Sequence, residues 1–551
     1  MDKLIIKNGL IFDPVNKIEG EIIDILIEDG KIVDKHSSQS DIKEIDAKGK
    51  TVIPAAVDIH CHVASQQLNF SRLLGTNNKK FQATWNGLTL NNIAQDYISN
   101  GYTLILEANV FPSLSKTTVF DFKNIPILDK AMLINVSNLW PLELEFQRGK
   151  IEDIAIFIQD LLRKVKGFGI KVYNPFENEF DWNYSSYRED LSKSGRLFNF
   201  NALDVYENIT KCVEFLGLPH SSHAHIEGYE TEQAKTNLIS VLKRINSSDI
   251  KKNNRLSRNQ IFHIAHASAY NIDGDNTELI KIVNQTNKFD LDLGFLTFND
   301  INPLITSDKR LIEKENKGNG NHLIREAIEF EGDTFIIFRE FNKKNRIHAI
   351  IWANALELAL KIEDKWKVQL NVNFPNYGNI IDIPKIASWL MSTDARNNFI
   401  DSLDSNFPSK AFLQSVSNYL TFNDFVIISR ASPAKSLGMG KSKGNLGLGA
   451  DGDLNILNIN INEIDTNKDI EQVKRALIDI DYVIKAGNII KKKEKIDLSY
   501  QGKIFWFNGK TETKDSSFIM SKKKEFYQKY YSIFYDSQNN LIEDIYLREM
   551  S

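Results

Sequence analysis

The chain has 551 residues, with 68 Lys and Arg against 72 Asp and Glu, 42% hydrophobic residues, 25% charged residues and two cysteines. That length calls for several domain equivalents or one α/β barrel with additions, and the composition excludes disordered, fibrous and disulfide-stapled classes. The near-balance of charge argues against a nucleic-acid partner; no apolar run approaches the ~18 residues of a membrane span, and MDKLIIKNGLIFD at the start lacks the apolar core of a secretory signal, so a cytoplasmic location is expected.

Residues 1–50 read as β structure: Leu4-Ile5-Ile6, then Ile22–Ile27, a hairpin signal at Asp29-Gly30 and Lys31-Ile32-Val33. From 51 to 422 strand-like apolar runs alternate with helical patterns. Thr103–Glu107 follows the helical Leu90–Ser99, Gly169–Val172 follows Ile151–Lys166, and Ile261–His266 follows Glu232–Ile245. Such alternation predicts parallel strands with crossover helices, an α/β barrel. Strand propensity returns over 423–498, at Asp424–Ile428, Asp453–Ile459 and Asp481–Ile490, so both chain ends should build one small β module against the barrel. Residues 499–551, with Lys522–Lys524 and a Tyr-rich stretch, do not extend the pattern and read as an appendage suited to docking. The run Lys491–Lys493 reads as a solvated turn.

The strongest local signal is Val57-Asp58-Ile59-His60-Cys61-His62. Residues two apart on a strand share a face, so His60 and His62 point one way, and neutral imidazoles are good ligands for zinc and related ions. Of the ten histidines, seven fall in three groups: His60/His62, His220/His223/His225 and His263/His266. Each lies at or just after an apolar run, where a parallel barrel builds its active site; His220 reads as an exposed loop residue. Lys171, within the apolar Gly169–Val172, must find a partner or lose its charge. Asp394, ending the apolar Trp389–Thr393, could bind a metal and accept a proton from bound water.

The ordered set His60, His62, Lys171, His225, His266 and Asp394 resembles the metal-dependent amidohydrolase superfamily. The resemblance implies a TIM-like (β/α) barrel with a composite β-sandwich from both chain ends, two divalent metal ions (zinc) and a Lys171 carboxylated by carbon dioxide. Gly447–Asn455 looks like the return into the sandwich. His225 is taken as ligand over His223 from His225-Ile226-Glu227, and His266 over His263 from His266-Ala267-Ser268.

A narrower resemblance rests on Val57–His62, Leu68–Leu74, Gly101–Thr103, Ile125–Lys130, Gly167–Pro175, Leu218–His220 and Arg430–Gly438. These segments are similar to the alpha subunits of formylmethanofuran dehydrogenase and of the bacterial formyltransferase/hydrolase complex. The second is favoured because the sequence shows no iron–sulfur motif. It implies hydrolysis, or the reverse formation, of the formyl amide of formylmethanofuran, with formate as product and other subunits of the complex as partners. Asp394 would be the catalytic proton acceptor, and Asn69 and Arg72 would hold the substrate. Departures keep two alternatives open. Ala265-His266-Ala267-Ser268 is closer to hydantoinase and dihydroorotase, which suggests a cyclic-amide hydrolase. Ala395-Arg396 stand where His-Pro usually follows the barrel aspartate, which suggests a scaffold subunit with a decayed site.

Overall fold

A computed structural model describes residues 3–38, 40–64, 68, 89–148, 150–175, 190–194, 199–298, 301–306, 311, 324–328, 331–509 and 516–550. The chain opens with five strands, β1 (Lys3–Asp13), β2 (Ile18–Glu28), β3 (Lys31–Val33), β4 (Ile42–Asp46) and β5 (Thr51–Pro54). The Asp29-Gly30 turn, both residues at positive φ, joins β2 to β3. The next strands run parallel: β6 (Ala56–Cys61), β7 (Tyr102–Val110), β8 (Asp129–Asn135), β9 (Gly169–Tyr173), β10 (Ser222–His225), β11 (Phe262–Ile264) and β12 (Phe289–Asp292).

Helices cross between them for local reasons. The helix Ile151–Val165 has Glu152 and Asp153 in its first turn and Arg163 and Lys164 in its last, matching its dipole. The helix Ala202–Leu216 starts at an Asn201/Asp204 capping box and stops at left-handed Gly217.

Three antiparallel strands, β13 (Ile301–Thr306), β14 (Ile324–Ile328) and β15 (Gly332–Glu340), interrupt the alternation before the eighth barrel strand, β16 (Val368–Gln369). The barrel is nearly closed by a bridge between Cys61 and Phe374, where the His62 N–H donates to the Phe374 carbonyl at 2.7 Å. This is the α/β, TIM-like architecture expected. Asp424–Ile428 is not a strand: a Thr421/Asp424 capping box starts a helix at Phe422 that continues to Ser436.

The chain then returns to the first sheet with β17 (Leu454–Leu457), β18 (Tyr482–Lys485), β19 (Asn488–Lys492) and β20 (Lys495–Ile496). Strand β17 lies antiparallel to β5, so both chain ends share one sheet packed around Leu4, Ile6, Ile27, Val52, Leu454 and Ile484. The terminal residues are more integrated than an appendage: β21 (Ile504–Phe507) pairs in parallel with β8, and β22 (Leu547–Met550) with β21. Lys491, read as part of a solvated turn, is buried, and so is Lys523 of the tail. Lys491 donates to the Ile480 carbonyl, and Lys523 bonds the Pro141 carbonyl and Glu145.

One buried ionic knot joins sandwich, barrel floor and tail. The Lys443 ammonium lies 2.5 Å from Asp129 and 2.7 Å from both Asp451 and Asp453. Lys485 lies 2.6 Å from Asp129 and 2.7 Å from Asp453, while Arg548 of β22 holds Asp451 at 2.5 Å. The three carboxylates are close enough for a metal, but the two ammoniums already satisfy them. Burial would raise the Asp129 and Asp451 carboxyls; the lysines, and Arg548 at Asp451, outweigh it and hold both well below the ordinary value of 3.8. Their contribution is therefore complete above that value and is lost as pH falls below it. Lys443→Met leaves the carboxylates under-compensated and should cost roughly 3–5 kcal/mol, read as a lowered urea midpoint and unfolding temperature.

Candidate metal centre

Strand register explains why distant residues meet. Lys171 on β9 pairs with His223 on β10, His223 with His263 on β11, and His263 with Asp290 on β12. These four form one level of the barrel, and His225 and Asp292 stand two residues further along their strands. A barrel interior is ordinarily filled by branched apolar side chains; this level is polar.

His60 is buried, and its Nδ1 lies 3.0 Å from Asp292 Oδ2. His62, the more exposed of the pair at 13% against 1% for His60, marks the open side. Its Nδ1 lies 3.2 Å from Glu107 Oε1, and Glu107 Oε2 accepts from the Val63 and Ala64 N–H groups. A carboxylate on Nδ1 fixes the ring proton there and leaves Nε2 as the donor atom toward a cation. His225 Nδ1 lies 2.9 Å from His266 Nε2, while His225 Nε2 and His266 Nδ1 are buried without a hydrogen-bond partner. His266 is at φ +36, and a Cβ on Gly294 would come within 2.5 Å of its Cβ, so only glycine fits opposite it.

Asp292 organises the site. It accepts from His60 Nδ1, from His263 Nε2 at 3.0 Å and from the His266 backbone N–H at 2.7 Å. Burial would raise its pKa, but His60 and His263 hold it well below the carboxylate range. His263 also meets Asp290 at 2.9 Å; burial opposes its protonation, yet the two carboxylates raise it to about 9, an imidazolium at neutral pH. The remaining imidazoles with displaced pKa values are neutral. Burial, then Lys171, pushes His60 and His223 well below 6.5 and His266 to about 3; burial, then His266, lowers His225. Burial lowers Lys171 to about 7, against the pull of Asp292 and Glu107, so much of it is free amine.

The sequence-derived set is thus partly assembled. His60, Lys171 and His225 lie on β6, β9 and β10, and His62 and His266 just after β6 and β11. Asp394 does not join them: it is exposed in the first turn of the helix Thr393–Ile400, capped by Ser392. The apolar run before it is the helix Ile383–Met391, not a barrel strand. The carboxylate that joins His60, His263 and the His266 backbone is Asp292, and the mouth of β16 carries Gln369, Asn371 and Asn373, all buried carboxamides. Asn373-Phe374-Pro375 therefore stands where the resemblance calls for Asp-His-Pro. His220 is also corrected, being fully buried below the site. Asn69 and Arg72 lie outside the described residues. Sequence reasoning missed Asp292, Asp290 and Glu107, although a carboxylate inside each apolar strand was the same signal that marked Lys171.

The amidohydrolase family model matches residues 43–491. The chain belongs to the amidohydrolase family. Protein FwdA of Methanocaldococcus jannaschii is 27% identical over 562 residues, covering 98% of this chain and 97% of that protein. FhcA, of the formyltransferase/hydrolase complex Fhc of Methylorubrum extorquens, is 23% identical over 538 residues, covering 93% and 91%. The crystal structure of the formyltransferase/hydrolase complex FhcABCD from M. extorquens with methylofuran contains a chain of the same fold, with a TM-score of 0.86 at 20% identity, covering 100% of this chain and 99% of that one. Among the described residues no helix is long and apolar enough to cross a membrane.

An amidohydrolase site suits a divalent cation, and these residues fit one. Asp290, Asp292 and Glu107 bring three carboxylates against one imidazolium, and two buried ring nitrogens lack partners. Asp292→Asn should lower bound divalent metal per chain severalfold, whereas Asp394→Asn should leave it unchanged, as measured by elemental analysis of the purified proteins.

Proposed function

We propose that the chain hydrolyses, or in reverse forms, the N-formyl amide of a formylmethanofuran-type substrate, as one subunit of a formyltransferase/hydrolase-type assembly. What carries this reading is similarity along nearly the whole chain to FwdA and FhcA, combined with a buried cluster of neutral imidazoles and carboxylates at the barrel mouth.

His60 and His62 through Nε2, with His225, His266 and Lys171, would hold two divalent ions, zinc by the chemistry of the donors. Such ions polarise a carbonyl and supply hydroxide at neutral pH by lowering the pKa of water toward ~7. The protein's own part is preparatory. Asp292 and Glu107 keep protons on the Nδ1 atoms of His60 and His62. Lys171, held in part as free amine, can attack carbon dioxide, forming an N–C bond as one C–O π bond opens and releasing a proton to give a carbamate. Asn69 and Arg72 remain the proposed contacts for the substrate. Partner subunits and a cytoplasmic setting belong to the same reading.

A second reading, a subunit that holds metal and substrate without hydrolysis, is favoured by one observation: Asn371 and Asn373 stand where β16 would bring a proton-accepting carboxylate. Formate release from formylmethanofuran by the purified assembly separates the two. The first reading expects release that chelation abolishes and zinc restores, and that Lys171→Ala lowers by at least ~100-fold, together with metal content. Full metal content without formate release would select the second reading, and Asn373→Asp should then confer release.

A further inference from the structure

Below the proposed ligands lies a polar chain that the hydrolytic reading leaves unused. His220 Nδ1 meets the Ser436 carbonyl at 2.8 Å, His220 Nε2 meets His223 Nδ1 at 3.0 Å, and His223 Nε2 meets His60 Nδ1 at 3.1 Å. His60 Nδ1 in turn lies 3.0 Å from Asp292 Oδ2. All members are buried.

We propose that His220 and His223 are positioning residues which, with His60, form a directed chain of three imidazoles that keeps the His60 proton on Nδ1 and its Nε2 lone pair clear for a cation. This rests on the metal-site reading above. The direction follows from hydrogen-bond chemistry at either end. A carboxylate only accepts, so His60 Nδ1 carries the hydrogen facing Asp292. His60 Nδ1 has only that one hydrogen, so His223 Nε2, 3.1 Å away, shares it with Asp292 as a second acceptor, which puts the His223 hydrogen on Nδ1. His220 Nε2 must accept from it, which puts the His220 hydrogen on Nδ1, toward Ser436. The Ser436 carbonyl also only accepts, so the floor of the barrel independently demands the same arrangement.

The anchor has a consequence. Without it, His223 is free to carry its hydrogen on Nε2, which lies 3.8 Å from Asp292 Oδ2. It would then compete with His60 for that oxygen and release the His60 proton to Nε2. Ser436 is held in turn, since its hydroxyl donates to Asp290 at 2.7 Å. His220, His223 and His263 are close enough to bind a metal, but every ring nitrogen of the three already has a partner.

Two variants of similar volume test the chain. In H220Q the amide N–H can donate to Ser436 and the amide oxygen can accept from His223 Nδ1, preserving the direction; in H220L it cannot. Zinc affinity of the metal-free protein, measured by chelator competition, should fall ~10–100-fold in H220L and recover most of that loss in H220Q. Equal loss in both variants, or none in H220L, overturns the proposal while leaving the metal-site reading intact. A native protein that binds no zinc overturns the reading itself. Should H220L fail to fold, couplings across N–H···N bonds in metal-free, ¹⁵N-histidine-labelled native protein decide. One imidazole should donate from Nδ1 to a second and accept at Nε2 from a third; an Nε2 proton on that central ring overturns the chain.

Discussion

The Asp292 carboxylate is the interaction on which the site depends. One buried group accepts from a ring nitrogen on β6, from a ring nitrogen on β11 and from the backbone at His266. An ionised carboxylate inside a barrel is costly unless its charge and lone pairs are satisfied. Here the protonated His263 supplies the charge, and Asp290 on the same strand keeps His263 protonated. The result is an alternation of anion, cation and anion running down the barrel from its mouth. A change at any member leaves the next with an uncompensated charge.

The barrel is polar at both ends for different reasons. At the mouth, the charges are imperfectly balanced and two ring nitrogens lack partners, as suits a place that receives a cation. At the floor, the three carboxylates of the ionic knot are met by three ammoniums, those of Lys31, Lys443 and Lys485, and a guanidinium, and nothing more is called for. Close carboxylates alone therefore do not distinguish a ligand site from a structural clasp. The state of the surrounding cations does. The knot also explains how the two halves of the sandwich and the terminal strands are held to one point, since Asp129 begins β8, Lys485 ends β18 and Arg548 lies on β22.

The eighth strand is where the chain departs from the pattern its histidines suggest. Carboxamides cannot accept a proton in the way a carboxylate does, so Asn371 and Asn373 can orient groups at the mouth but not take a proton from water. Asp292 does not take over that task, because its oxygens are engaged by three donors and its pKa is depressed.

Much of the architecture was written locally. Period-two spacing put His60 and His62 on one face, alternation of strand and helix announced the barrel, and the apolar runs at both ends announced a shared sheet. Lys171 declared itself because a cation within an apolar strand must be paired or neutral. The same signal marked more than one aspartate and did not choose between them. Trp389–Asp394 is an apolar run ending in an aspartate and Phe289–Asp292 a four-residue alternation of apolar and acidic residues, and segments that short do not by periodicity alone tell a buried strand from a buried helix. Ser392 caps a helix in the first case and leaves Asp394 in water, whereas in the second β12 pairs with β11 and sends Asp292 inward. Residue types and their spacing were enough to say that a metal centre could be built and on which strands most of it would lie. Lateral strand register, a property of the closed sheet and of no single segment, chose which of those residues share a level and touch.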